Sequence, residues 1–139
     1  LHLDNTNFAD AIGLEDSRDY TTPLDLTKLS SFALKNKIFA QAVATKTKEI
    51  SDVTGENKYL LNNLNKLLGV GGVNGIKTGY TSEAGQVLVT SKVETDSSDK
   101  KHIIIIVIII IYLLSFRFVN VVGISIIFVV GDIDRKYAS

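Results

Sequence analysis

The residues Gly75-Ile76-Lys77-Thr78-Gly79-Tyr80-Thr81, followed by Ala84-Gly85, hold the pattern richest in chemistry. Lys77 sits on an expected β-strand and is followed at once by a hydroxyl and a glycine. Side chains alternate across a strand, so Lys77 and Gly79 fall on one face. Gly79 leaves that face bare beside the lysine, and an extended ligand backbone could lie along the strand edge and pair with it. The Lys77 ammonium supplies a point charge and Thr78 a hydroxyl. Together they suit the carboxylate at the end of a peptide-like ligand. As a bare tripeptide, the same residues fit a solvent-facing lysine in a hairpin better, because Lys-Thr-Gly is short and common.

Other chemistry-bearing residues carry less. A literal S-x-x-K occurs at Ser97-Ser98-Asp99-Lys100, with Ser98 to Lys101 as an overlapping match. Lysine can activate a serine nucleophile. These serines lie in a charged turn between strands and read as turn residues. Gly69-Val70-Gly71-Gly72 invites a phosphate-loop reading, but the sixth position of G-x-G-x-x-G is Asn74 and no strand-to-helix context surrounds it. It reads as a flexible lead-in to the Lys77 strand. His2 and His102 are far apart and lack a partner at i+4, so surface histidines are expected and no metal site. Asp96 and Asp99 fit a solvated turn better than a calcium loop.

The elements that must position Lys77 follow from the hydrophobic pattern. Leu1 to Tyr20 reads as loop with a short helical turn. Thr22 then caps a helix, Pro23 takes its first position, and Asp25 lies three residues after the cap. Leu26, Leu29, Phe32 and Ala33 recur at helical spacing and predict one buried face, with Asn36 as the end. Lys37 to Ala44 predicts a second short helix with Ile38, Ala42 and Val43 inward, the two forming a compact pair. Thr45 to Asp52 suits a surface strand, and Thr54-Gly55-Glu56-Asn57 a turn. Tyr59 to Leu68, with three asparagines, predicts an ordered loop with apolar anchors. Strands are expected at Val73–Tyr80, Gln86–Val93 and His102–Ile111. Short polar connections make them an antiparallel meander, and the continuously apolar third strand suits burial on both faces. Helices before an antiparallel sheet give an α+β domain.

Composition sets the outer bounds. The chain has 139 residues, with 15 basic and 15 acidic side chains, which suggests one domain or part of one. Zero net charge argues against a nucleic-acid partner, because phosphate contacts need concentrated positive charge. With no cysteine there is no disulfide framework, iron–sulfur cluster or cysteine-ligated zinc. The absence of methionine suggests a processed product or a piece of something longer, and no signal peptide is visible in residues 1–20.

Several stretches resemble, in order, the D-alanyl-D-alanine carboxypeptidases. These are the low-molecular-mass penicillin-binding proteins, a branch of the penicillin-recognising serine enzymes marked by S-x-x-K, S-x-N and K-T-G. Asn5-Thr6-Asn7-Phe8 with Gly13-Leu14 resembles the segment after the family's second motif. Tyr20-Thr21-Thr22-Pro23-Leu24-Asp25-Leu26 resembles its helix start. Tyr59 through Leu68 resembles its N-x-N-x-LL loop, and Gly75–Thr81 with Ala84-Gly85 its K-T-G strand and turn.

The resemblance implies a partial penicillin-binding-protein or β-lactamase-like fold. Residues 1–111 would be the C-terminal part of a catalytic domain, with 112–139 an atypical apolar helix or strand and polar tail. It implies a serine that attacks the bond between two terminal D-alanines of a peptidoglycan stem peptide, and acylation of that serine by β-lactams. It also implies an extracytoplasmic location and no cofactor. By motif, Lys77, Thr78 and Gly79 would bind substrate. Only 76 residues precede Lys77 and none of them reads S-x-x-K, so the nucleophile is expected upstream of Leu1 and this chain alone is expected to be inactive. Other functions remain open: a β-lactamase relative, a non-catalytic peptide- or cell-wall-binding module, or a membrane-anchored protein.

The membrane reading rests on residues 103–131, which hold 11 of the 16 isoleucines and one charge, Arg117. Each uncharged flank of Arg117 is 14 residues, about 21 Å as helix, against a hydrocarbon core of roughly 30 Å. A full span would bury Arg117 at a cost of about 2.5–3.5 kcal/mol. Core is the expectation: the third strand, then a helix from Tyr112 to Val122 with Leu114, Phe118, Val121 and Val122 on one side. Val130-Gly131-Asp132-Ile133-Asp134-Arg135 resembles a family turn displaced by an insertion or an altered reading frame.

Overall fold

Thr22 is extended and its hydroxyl accepts from the Asp25 amide at 3.2 Å, which starts α1 (Pro23–Ala33) as the cap pattern predicts. The structure, a computed structural model, describes residues 1–14, 16–81, 84–112 and 122–132, those from Ile109 onward through their backbone. Helix α1 ends at Leu34, before Asn36. Asn36 instead caps α2 (Lys37–Ala44), its side-chain oxygen accepting from the amides of Ile38 and Phe39 at 2.9 and 3.1 Å.

The inward faces of both helices differ from the apolar pattern. In α1 the buried residues are Asp25, Thr27 and Ser30, while Phe32 is exposed. Burial is possible because the polar groups are satisfied. Asp25 Oδ2 accepts from the Asn5 amide at 3.0 Å and Thr6 Oγ1 at 2.9 Å, and Thr27 Oγ1 donates to the Pro23 carbonyl at 2.8 Å. In α2, Ile38 and Ala42 are exposed and only Val43 of the expected trio is half-buried. The helices pack on the sheet instead of forming a tight pair: α2 lies on the K-T-G strand, and α1 on the third and fourth strands of that sheet.

Strands β1 (Thr47–Ser51) and β2 (Lys58–Asn62) pair antiparallel, with Ile50 opposite Tyr59, and are exposed throughout. The first half of the expected 59–68 loop is therefore a strand, because Tyr59, Leu60 and Leu61 find a ladder partner in β1. The second half remains a loop anchored by Leu68, which is buried. A 3₁₀ turn at Val70–Gly72, with left-handed glycines at 69, 71 and 72, leads into the main sheet.

That sheet runs β3 (Val73–Thr81), β4 (Gly85–Thr95), β5 (Lys101–Tyr112) and β6 (Val122–Asp132), each antiparallel to the next and in that spatial order. The expected three-stranded meander is thus present and a fourth strand extends it. The helix expected from Tyr112 to Val122 does not begin or end as one: Tyr112 closes β5 and Val122 opens β6, opposite each other. Residues 113–121, with Leu114, Arg117, Phe118 and Val121, lie outside the described residues. Val130 to Asp132 belong to β6 and not to a turn. The 103–112 run is strand, not a spanning helix, and no helix among the described residues is long and apolar enough to cross a membrane.

The core sits on one face, where Val89, Ile105 and Val107 are buried and Leu26 of α1 and Leu34 just after it pack against them. Ile104, Ile106 and Ile108 on the other face of β5 are half-buried, so the strand is covered more fully on one side than on both.

Candidate functional site

Strand β3 has β4 on one side and, among the described residues, no strand on the other. Lys77, Thr78 and Gly79 therefore lie along an open sheet edge. Lys77 pairs across the ladder with Val89, Thr78 with Leu88 and Gly79 with Val87. Cross-strand partners share a face, so Lys77 and Gly79 are on one face and Thr78 on the other, as alternation predicts. A Cβ on Gly79 would meet only Val87, at 3.9 Å, which leaves the strand bare beside the lysine. Lys77 is exposed, and its Nζ donates to the Thr78 carbonyl.

An open groove of about 680 Å³ runs along this edge. Its walls are Lys77 to Tyr80 on β3, Gln86 to Leu88 on β4, Ile108 on β5, and the Leu64-Asn65-Lys66-Leu67 loop. The lining contains two lysines and no carboxylate, so its field favours an anion. The loop reaches the groove through its asparagines. Asn63 Nδ2 donates to the carbonyls of Val43 and Thr45 at 3.1 and 3.2 Å, tying the loop to the end of α2. Asn63 Oδ1 accepts from the Asn65 amide at 2.9 Å, and Asn65 Oδ1 from the Leu67 amide at 3.0 Å. Sequence reasoning had placed this loop but had not assigned its residues to the site. The usable signal was asparagine at alternate positions within an apolar run.

The remaining candidates fall elsewhere. Ser97 and Ser98 occupy the β4–β5 turn, about 23 Å along β4 from the Lys77 register at ~3.3 Å per residue. Ser98 Oγ donates to Asp96 at 2.7 Å, and Asp96 also accepts from the amides of Ser98 and Lys100. These are turn bonds, as expected. His102 is more than a surface histidine: half-buried, it meets Asp96 through Nε2 at 2.8 Å. That contact first, and the Ser98 hydroxyl second, hold the Asp96 carboxyl well below the usual carboxylate range.

The family model for D-alanyl-D-alanine carboxypeptidase matches residues 1–109. The chain belongs to that family. Its relatives include the D-alanyl-D-alanine carboxypeptidase of Streptomyces sp. (strain K15), 37% identical over 94 residues, which covers 64% of this chain and 32% of the relative. The D-alanyl-D-alanine carboxypeptidase DacF of Bacillus subtilis (strain 168) is 33% identical over 92 residues, covering 66% of this chain and 23% of the relative. The chain thus spans about a third and a quarter of the length of these two carboxypeptidases. No solved structure matches it significantly. The family match includes the groove, the Asn63–Leu68 loop and the Lys77-Thr78-Gly79 edge.

Proposed function

We propose that this chain forms the β-edge wall of the substrate cleft in a serine-type D-Ala-D-Ala carboxypeptidase of penicillin-binding-protein fold. That enzyme trims peptidoglycan stem peptides on the outer side of the cytoplasmic membrane. The observation that carries the reading is the open β3 edge, with Lys77, Thr78 and Gly79 lining an anion-favouring groove in a chain of this family.

The extended end of a stem peptide lies along β3, where Gly79 admits its backbone. The Lys77 ammonium and the Thr78 hydroxyl hold the terminal carboxylate. A serine from polypeptide outside these 139 residues attacks the carbonyl between the two D-alanines. The terminal D-alanine leaves with a proton, and water then hydrolyses the acyl ester. The Lys77 charge also stabilises negative charge developing near that serine. A β-lactam presents a carboxylate at a matching separation from its reactive carbonyl and acylates the same serine.

The test is D-alanine release from a peptide ending in D-Ala-D-Ala by the intact parent protein. Release supports the reading. Peptide binding without release would favour a non-catalytic cell-wall-binding module instead.

A further inference from the structure

The residues that decide which face Lys77 occupies lie just upstream of it and on β4. The ladder pairs Asn74 with Ser91 and then Ile76 with Thr90, so Gly75 is an extra residue without a partner. A one-residue bulge exchanges the faces of everything that follows it. With the bulge, Lys77 stands opposite Val89 and Gly79 opposite Val87. An unbroken ladder continuing from Asn74–Ser91 would set Lys77 opposite Leu88 and Thr78 opposite Val87, and the two would trade faces.

Three buried side chains hold this break. Thr90 Oγ1 donates to the Gly75 carbonyl at 2.7 Å, Ser91 Oγ to the Asn74 carbonyl at 3.0 Å, and Asn65 Nδ2 to the Gly75 carbonyl at 3.4 Å. Thr90, Ser91 and Asn65 are 2%, 4% and 5% exposed. Polar groups this deep need partners, and here the partners are the carbonyls at the bulge. We infer that Thr90, Ser91 and Asn65 form a register clamp, positioning residues that fix the Gly75 bulge and thereby set Lys77 and Gly79 on the Val89 face of β3 and Thr78 on the Leu88–Ile108 face that walls the groove.

The catalytic consequence rests on the proposed function, whereas the register consequence does not, and two assays separate them. The chain has no cysteine, so paired cysteines report register cleanly. Tyr80→Cys with Gln86→Cys matches the observed pairing, and Gly79→Cys with Gln86→Cys matches the slipped one. Thr90→Val is expected to move disulfide formation from the first pair to the second, and Thr90→Ser to leave it in place. In the intact parent, Thr90→Val should slow penicillin acylation about tenfold, the scale of one lost buried hydrogen bond. Thr90→Ser should restore the rate. Unchanged cross-linking and acylation in Thr90→Val would overturn the clamp. If Thr90→Val fails to fold, Ser91→Ala is read in the same assays, with the same direction expected, and no change there overturns it. If the wild-type parent is not acylated at all, the proposed function fails and the cross-linking arm still decides the clamp.

Discussion

Gly75 is the residue on which the site's geometry turns. Its φ is +23°, and a Cβ there would meet Val43 Cβ and Cγ2 at 2.6 Å and the Val43 carbonyl oxygen at 2.9 Å. Backbone conformation and close approach of α2 both require glycine. Gly75→Ala is expected to destabilise the fold by about 2–3 kcal/mol, from overpacking against a helix end with little room to shift. A denaturant titration of the variant checks this, and a midpoint equal to wild type would contradict it. Gly79 contrasts with it, since a Cβ there meets only van der Waals contact. The requirement at Gly79 comes from the ligand side, and Gly79→Ala should leave the folding midpoint close to wild type.

At the scale of elements, the β1–β2 hairpin is exposed throughout, and one carboxylate supplements the backbone bonds of its turn. Asp52 accepts from Asn57 Nδ2 at 2.6 Å and Thr54 Oγ1 at 2.8 Å, which lower its pKa from 3.8 to about 2. A depressed carboxyl contributes stability above its unfolded value and loses it as pH falls through the folded one. The hairpin should therefore loosen between about pH 4 and pH 2, seen as faster amide exchange in β1 and β2, and Asp52→Asn should remove that dependence. The cap at Thr22, the turn at Thr54–Asn57 and the β3–β4–β5 meander were all legible in the sequence, because each is dictated by local chemistry or strict alternation. Three features were not. The β2 strand was hidden by asparagines that act only at its end. The polar inner face of α1 depends on partners 19 and 20 residues away, Thr6 and Asn5. The Gly75 bulge leaves no mark in alternation, since Lys77 and Gly79 share a face with it or without it. Of the residues that line the groove, residue types singled out Lys77, Thr78 and Gly79, whereas the Leu64–Leu67 wall arises from tertiary folding of a loop.

At the scale of the whole molecule, the buried apolar residues among those with described side chains are Leu68, Val89, Ile105 and Val107. By contrast, Ile12, Ile38 and Leu64 are 75–79% exposed and Val53 fully so. On the proposed reading, the rest of the carboxypeptidase covers them and supplies the cleft's opposite wall with its serine. The 139-residue chain by itself is then expected to form no covalent penicillin adduct by intact mass. A mass shift mapped to Ser97 or Ser98 would contradict this. The central claim, that the β3 edge holds the ligand carboxylate through Lys77, is tested most directly in the intact parent. The rate of acylation by labelled penicillin is compared between wild type and Lys77→Ala at equal folded concentration. A fall of about a hundredfold is expected, the scale of losing one charge-assisted hydrogen bond to a carboxylate. Unchanged labelling would contradict the account.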